Sequence, residues 1–332
     1  MNKLIFKPIN KAKLSKILIS VAVISVMLAI LLYPDRYISA SLNGLKLWCF
    51  SVLPSLLPFF FLTALLTKTE VLCNVFCKTN KLTKTLFNLN GVSFYAFILS
   101  ALSGYPVGSR TVCDLYLAGA INENEAKKTS ILASTSGPLF IVGAVGTAMF
   151  NNKYYGFILY SLHLISAILT AITFRGKTNN SMSKNQIILN EKTDNILYES
   201  IYGSVISVLI VGGLITIFYV ITEVLLDFKI LTPLINLVNS LFKNFNNSNV
   251  GEGFICGLIE CTKGCYLLSK LPTTPLTLSL SAFLISFGGF SIIVQSLVYL
   301  VKAKVKPLFF ILGKTIHAVY SFILSFIIFS II

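Results

Sequence analysis

One stretch limits this chain more than any other. Residues 17–33, ILISVAVISVMLAILLY, are apolar on every side and offer water no polar face. Runs of this kind recur near 17–33, 46–67, 129–150, 154–174, 203–225, 275–301 and 307–331, seven in all. A helix of about 20 apolar residues crosses the hydrocarbon core of a bilayer. A soluble all-helical protein would show amphipathic stripes instead. A mean hydropathy of +0.82 agrees with the membrane reading. So does a charged fraction of 12%, against about a quarter in soluble domains. The expected fold class is an all-α polytopic membrane protein.

The net charge of +15 would suggest nucleic acid in a soluble protein. Here the lysines sit between the apolar runs, where membrane topology and anionic lipid explain them. No nucleic-acid partner is expected. Lys3, Lys7, Lys11, Lys13 and Lys16 precede the first run, which is longer than a signal-peptide core. It reads as an uncleaved helix, with the N-terminus cytoplasmic.

Two further apolar stretches, about 91–118 and 251–269, are interrupted midway by Gly, Pro or charge. They are poor spans and fit re-entrant hairpins that enter and leave on one side. With both re-entrant, nineteen of the 27 Lys and Arg fall on the cytoplasmic side. That distribution follows the positive-inside rule. If the first hairpin crossed instead, Lys302, Lys304 and Lys306 would fall outside.

The polar segment 175–200 divides the chain, and the two halves read alike. Each holds a span, a hairpin, a span with a glycine break and a final span. The first half has SGYPVG from 103, SGPLFIVG from 136 and His163; the second has GLIECTKG from 257, SFGGFSII from 286 and His317. Three spans per repeat require opposite orientations, the inverted-repeat architecture of secondary transporters. The expected organisation is a basic segment with an extra helix over 1–40, a first repeat over 41–174, a cytoplasmic linker over 175–200 and a second repeat over 201–332. In sum, about seven transmembrane helices and two re-entrant hairpins are expected.

Broken backbone survives at membrane depth only when it is buried in protein or lines a wet cavity. Freed N–H groups at half-helix N-termini then bind anions. Ser103, Gly104, Tyr105, Pro106 and Gly108 therefore read as a substrate-binding tip, or as an ordinary loop between two short helices. Arg110 either clamps a carboxylate or snorkels to the interface. Ser136, Gly137 and Pro138 make a cavity-lining break or a proline kink, with a counterpart at Gly288 and Gly289. Glu260, Thr262, Lys263 and Gly264 form the second tip, or a solvated external loop. Glu260 would carry a coupling proton or help hold a cation, Lys263 would meet an anionic substrate, and the two could pair with each other. Gln295 faces the same cavity or joins helices. His163 and His317 make a proton relay or interhelical hydrogen bonds. Glu223 marks the interface. Cys256, Cys261 and Cys265 match no zinc or haem spacing and read as small hydrophobes. No HExxH, Walker loop, GxGxxG or nucleophile–base pattern is present, so no enzyme activity is expected.

SGYPVGSR, SGPLFIVGAVGTAMF and GLIECTKG, in that order, resemble the YlbJ-type sporulation integral membrane proteins. These belong to the wider nucleoside-recognition, or Gate, domain group, similar in architecture to concentrative nucleoside transporters. The resemblance runs from about residue 40 to the end. It implies a sporulation-associated transporter of a small organic anion, dipicolinate, working in the outer forespore membrane. Nucleoside transport, or a non-transporting scaffold in a sporulation complex, stays open. The resemblance points to Ser103, Gly104, Tyr105, Pro106, Gly108, Ser136, Gly137, Pro138, Glu260, Thr262 and Gly264 as site residues. Arg110 stands where such proteins more often carry lysine, and Cys261 where they carry a bulkier apolar residue. No cofactor or metal is expected. The coupling ion (proton or sodium) and homo-oligomerisation stay open. Membrane lipid is the other expected partner.

Overall fold

The computed structural model describes residues 11–68, 80–176, 195–243 and 249–332. Most of the polar linker, together with Lys3 and Lys7, lies outside the described residues. No strand occurs among the described residues.

Helix α1, Lys11–Leu32, turns sharply into α2, Pro34–Leu47, with 108° between the two segments. Pro34 causes the turn: its ring pushes Tyr33 out of the helical region, to φ −130° and ψ 62°. Pro34 and Asp35 then open a new helix, favoured by the fixed φ of proline and by an acid at the positive helix end. The helix thus begins well before the expected span at 46–67. It continues through π1, Trp48–Val52, into α3, Leu53–Lys68. The widened turn lies just before Pro54, which has no N–H for the carbonyl four residues back.

Next come a short helix α4, Asn80–Phe87, and a hairpin of α5, Gly91–Ser103, and α6, Val107–Leu117. α7, Glu123–Leu132, runs into a non-helical stretch, and π2, Leu139–Met149, comes after it. α8, Lys153–Thr173, closes the first half. The second half has a long α9, Ile196–Asp227, a short α10, Thr232–Leu241, and a hairpin of α11, Val250–Ile259, and α12, Cys261–Ser269. A helix broken at Gly288 is next, as α13, Pro275–Phe287, and α14, Gly289–Leu300; the last helix is α15, Pro307–Ile331. One small device recurs. Asn80 Oδ1 accepts the Gly91 N–H at 3.0 Å, and Asn239 Oδ1 accepts the Gly251 N–H at 2.7 Å, so each short helix holds the start of its hairpin.

Among the described residues, four helices are long and apolar enough to cross a membrane: Lys153–Thr173, Ile196–Asp227, Pro275–Leu300 and Pro307–Ile331. The bent α1–α2 pair makes a fifth if counted as one span. The seven expected spans are therefore not seven straight helices. The run at 129–150 is divided around its STSGP segment, and 17–33 meets the helix after it at an angle.

α9 packs on α2 and α3, α13 on α15, and α8 on both π2 and α15. The largest apolar core draws on both halves, from Val52 and Phe140 to Val211, Leu268 and Leu284. This packing sets the two hairpins against the two helix breaks.

Candidate substrate cavity between the hairpin tips

The first hairpin turns at Gly104, where φ is 81° and ψ −162°, a conformation that L side chains avoid. The Tyr105–Pro106 bond is cis. The turn rests on the first helix break. A Cβ on Gly104 would lie 2.5 Å from the Gly137 amide nitrogen, and one on Gly108 would lie 2.0 Å from Ala133 O. Backbone meets backbone here because neither residue has a side chain.

Non-helical backbone in an apolar surrounding needs hydrogen-bond partners, and side chains provide them. The Thr135 N–H donates to Ser100 Oγ at 3.0 Å, and the Ser136 N–H to His163 Nε2 at 2.9 Å. Tyr105 Oη donates to Ser134 O at 3.0 Å, and Tyr160 Oη to Ala101 O at 2.9 Å. Because His163 Nε2 accepts, its Nδ1 carries the proton and donates to Ser286 Oγ at 2.7 Å. His163 thus joins the break of one half to the break of the other.

In the second hairpin Glu260 leaves the helical conformation and caps α12. Its carboxylate accepts the Thr262 N–H at 3.1 Å and the Lys263 N–H at 2.6 Å. Gly289 packs against this tip: a Cβ there would lie 3.0–3.1 Å from Gly257 O, Cys261 N and Ile259 O. Each hairpin tip therefore sits on the helix break of its own half.

A small cavity of about 50 Å³ lies where these four parts meet. Ser103, Gly104 and Tyr105 line it from the first tip, and Glu260 and Thr262 from the second. Ser136 and Gly137 come from the first break, and Ser291, Ile292 and Gln295 lie just beyond the second. Val52 and Leu56 near π1, Val211 and Ile215 on α9, and Phe140 form its apolar walls. The hydroxyls of Ser103 and Ser291 are buried without a hydrogen-bond partner. The N-terminus of α6 carries no side-chain cap.

Eight of the sixteen expected site residues line this cavity: Ser103, Gly104, Tyr105, Ser136, Gly137, Glu260, Thr262 and Gln295. Pro106, Gly108, Pro138, Gly264, Gly288 and Gly289 do not line it. Gly108, Gly264 and Gly289 shape it from behind through close backbone contacts.

The two expected cations are elsewhere. Arg110 is exposed, 3.8 Å from Asp114 one helical turn on, and does not reach the cavity. It sits on the outer side of α6 because Ser109 and Thr111, its neighbours, take the buried side. Lys263 is buried, but its ammonium pairs with Glu223 Oε1 at 2.8 Å over the ring of Tyr219. Glu223 is therefore the partner of Lys263, and Glu260 meets Lys263 only through its backbone N–H.

The rings of His163 and His317 lie tilted at 33° with 4.7 Å between their centres, and His317 Nε2 lies 3.0 Å from His163 O. The two rings are not joined nitrogen to nitrogen: His163 is committed to Ser136 and Ser286. Their geometry is that of interhelical hydrogen bonding. Among the described residues, no group of three or more His, Cys, Asp or Glu comes together to hold a metal ion. Cys256, Cys261 and Cys265 are buried and free.

Sequence reasoning missed Ser291 and Lys314. Lys314 is buried in α15 and donates to Tyr105 Oη and, at 3.2 Å, to Ser134 O. The available signal was its place as the lone charge within an otherwise apolar run, 307–331.

The chain is similar to the sporulation integral membrane protein YlbJ of Bacillus subtilis (strain 168). Identity is 25% over 335 aligned positions, which cover 94% of this chain and 82% of that protein. The likeness therefore runs through both halves. No family model matches the chain, and no solved structure matches it. The long apolar helices and this likeness make the chain an integral membrane protein.

Proposed function

We propose that this chain acts in sporulation as a secondary transporter of a small organic anion, dipicolinate, by alternating access between two inverted repeats. The observation that carries the proposal is the single cavity shared by both hairpin tips and both helix breaks. Paired, interrupted helices around one central site are the signature of repeat-built transporters. The sporulation context comes from the similarity to YlbJ and from the motifs in SGYPVGSR and GLIECTKG. On this reading the protein works in the outer forespore membrane with its N-terminus cytoplasmic.

The cavity walls suit a planar ring bearing carboxylates. The unpaired hydroxyls of Ser103 and Ser291 offer donors. Val211, Ile215 and Phe140 cover the ring faces. Glu260, on the opposite side, takes the coupling ion, proton or sodium.

One observation favours a second reading. Arg110 and Lys263 do not line the cavity, whose polar groups are hydroxyls, the Gln295 amide and the Glu260 carboxylate. Those groups also suit a neutral nucleoside.

Flux in proteoliposomes decides between the readings. With proton and sodium gradients varied separately, dipicolinate uptake is expected to saturate and to depend on one gradient. Glu260→Gln is expected to abolish the gradient dependence. Uptake of uridine without dipicolinate uptake selects the second reading. Flux of neither solute, with the chain captured in a stable hetero-complex, refutes transport in favour of a scaffold.

A further inference from the structure

We infer that Lys314, buried beside Tyr105, is the residue by which the cavity selects an organic anion, its ammonium being held in place by the bound carboxylate. The inference rests on the transport reading above and identifies its charge-selecting residue. It starts from a comparison of two lysines built alike. Each is 2% exposed, and each ammonium sits over a tyrosine ring: Lys263 is 4.3 Å from the centre of Tyr219, and Lys314 is 4.4 Å from that of Tyr105. Each serves a hairpin tip, Lys263 from within the second and Lys314 by holding Tyr105 of the first. They differ in one respect. Lys263 has its counter-ion, Glu223. Lys314 forms no ion pair with any carboxylate among the described residues.

A buried ammonium without a counter-ion is costly, and in a membrane protein such a group marks a function by default. Lys314 Nζ donates to Tyr105 Oη and to Ser134 O, and Tyr105 Oη donates to the same carbonyl. This closed triangle holds the Lys314 amine against Tyr105, a residue that lines the cavity. Ser136 and Gly137, two and three residues beyond Ser134, line it as well. A carboxylate resting against Ser103, Gly104 and Tyr105 supplies the missing negative charge. Glu260, on the far wall, forms no ion pair with Lys314 and is held by the Thr262 and Lys263 N–H groups. A neutral solute gains nothing from Lys314. Lys314 acts through Tyr105, so it is a positioning residue.

The test is ligand-dependent thermal stability of the purified full chain in detergent, at constant pH and ionic strength. The sodium salts of pyridine-2,6-dicarboxylate and benzoate are compared with chloride. The dicarboxylate is expected to raise the melting temperature of the wild type. Lys314→Met is expected to weaken that apparent affinity at least tenfold, and Lys314→Arg to restore most of it. A purely structural role predicts a changed melting temperature without ligand but an intact carboxylate shift, and that result overturns the inference. So does a wild type stabilised by neither carboxylate. Should Lys314→Met fail to fold, Tyr105→Phe is read in its place: unchanged carboxylate affinity overturns the inference, and a weakened one supports it. Carboxylate binding that depends on Lys314, without flux in proteoliposomes, upholds this inference and removes the transport reading.

Discussion

At the scale of single residues, the decisive facts are where charges find partners. Glu260 and Lys263 are three apart, and sequence spacing alone pairs them. In the folded chain Glu260 turns back to cap its own helix, and Lys263 reaches Glu223, forty residues away. The pair is unequally buried, with side-chain exposures of 2% for Lys263 and 28% for Glu223. Removing one partner of a fully buried pair costs about 3–5 kcal/mol. Partial exposure of Glu223 lowers the expected cost of Glu223→Gln to about 2 kcal/mol. The double variant Glu223→Gln/Lys263→Met is expected to recover at least half of that loss, because no ammonium is left unpaired. Thermal melts of the three variants in detergent measure the coupling, and additive losses would refute the pairing. Arg110 shows the opposite outcome. Its place in SGYPVGSR makes it a candidate anion contact, yet its helix face directs it away from the cavity.

At the scale of elements, glycine and proline located most of the interruptions, and Glu260 makes the one in the second hairpin. The breaks at 104, 137 and 288 were legible because each needs a conformation or a close approach that only certain residues allow. What satisfies the freed backbone was less legible. His163 stands out in the sequence as one of two histidines, but nothing there names its partner. In the fold it accepts the Ser136 N–H and donates to Ser286, binding the two broken helices together. His163→Ala leaves that N–H buried and unpaired, an expected cost of about 1–3 kcal/mol. His163→Gln is expected to recover part of it. The melting temperature of both variants checks this, and an unchanged value for the alanine variant would remove the bridging role. The π-helical run Leu139–Met149 had no sequence signal of its own, since its apolar residues suit an α-helix equally well.

At the scale of the whole molecule, each half holds a hairpin and an interrupted helix, and one cavity collects parts of both halves. On the proposed inverted topology, the outer ends of the two hairpins face opposite sides of the membrane. Asn124 and Lys270, both exposed, mark those ends. In a background without native cysteines, Asn124→Cys is expected to react with an impermeant thiol reagent from the cytoplasmic side, and Lys270→Cys from the other side. Labelling of both from the same side would sink the inverted arrangement.

The amino-acid sequence by itself determined the solvent, the order of the elements and the positions of the breaks. These depend on local quantities: the length of apolar runs, and the backbone freedom of glycine and proline. Only the tertiary structure decided which side chains face the cavity and which charges are neutralised. Lys314 meets Tyr105 across 209 residues of chain, and His163 meets Ser286 across 123. Contacts over such separations come from helices packing side by side, and no spacing within a single helix encodes them. For the same reason a lysine that sequence reasoning passed over now stands behind the proposed site, while the arginine it singled out lies outside.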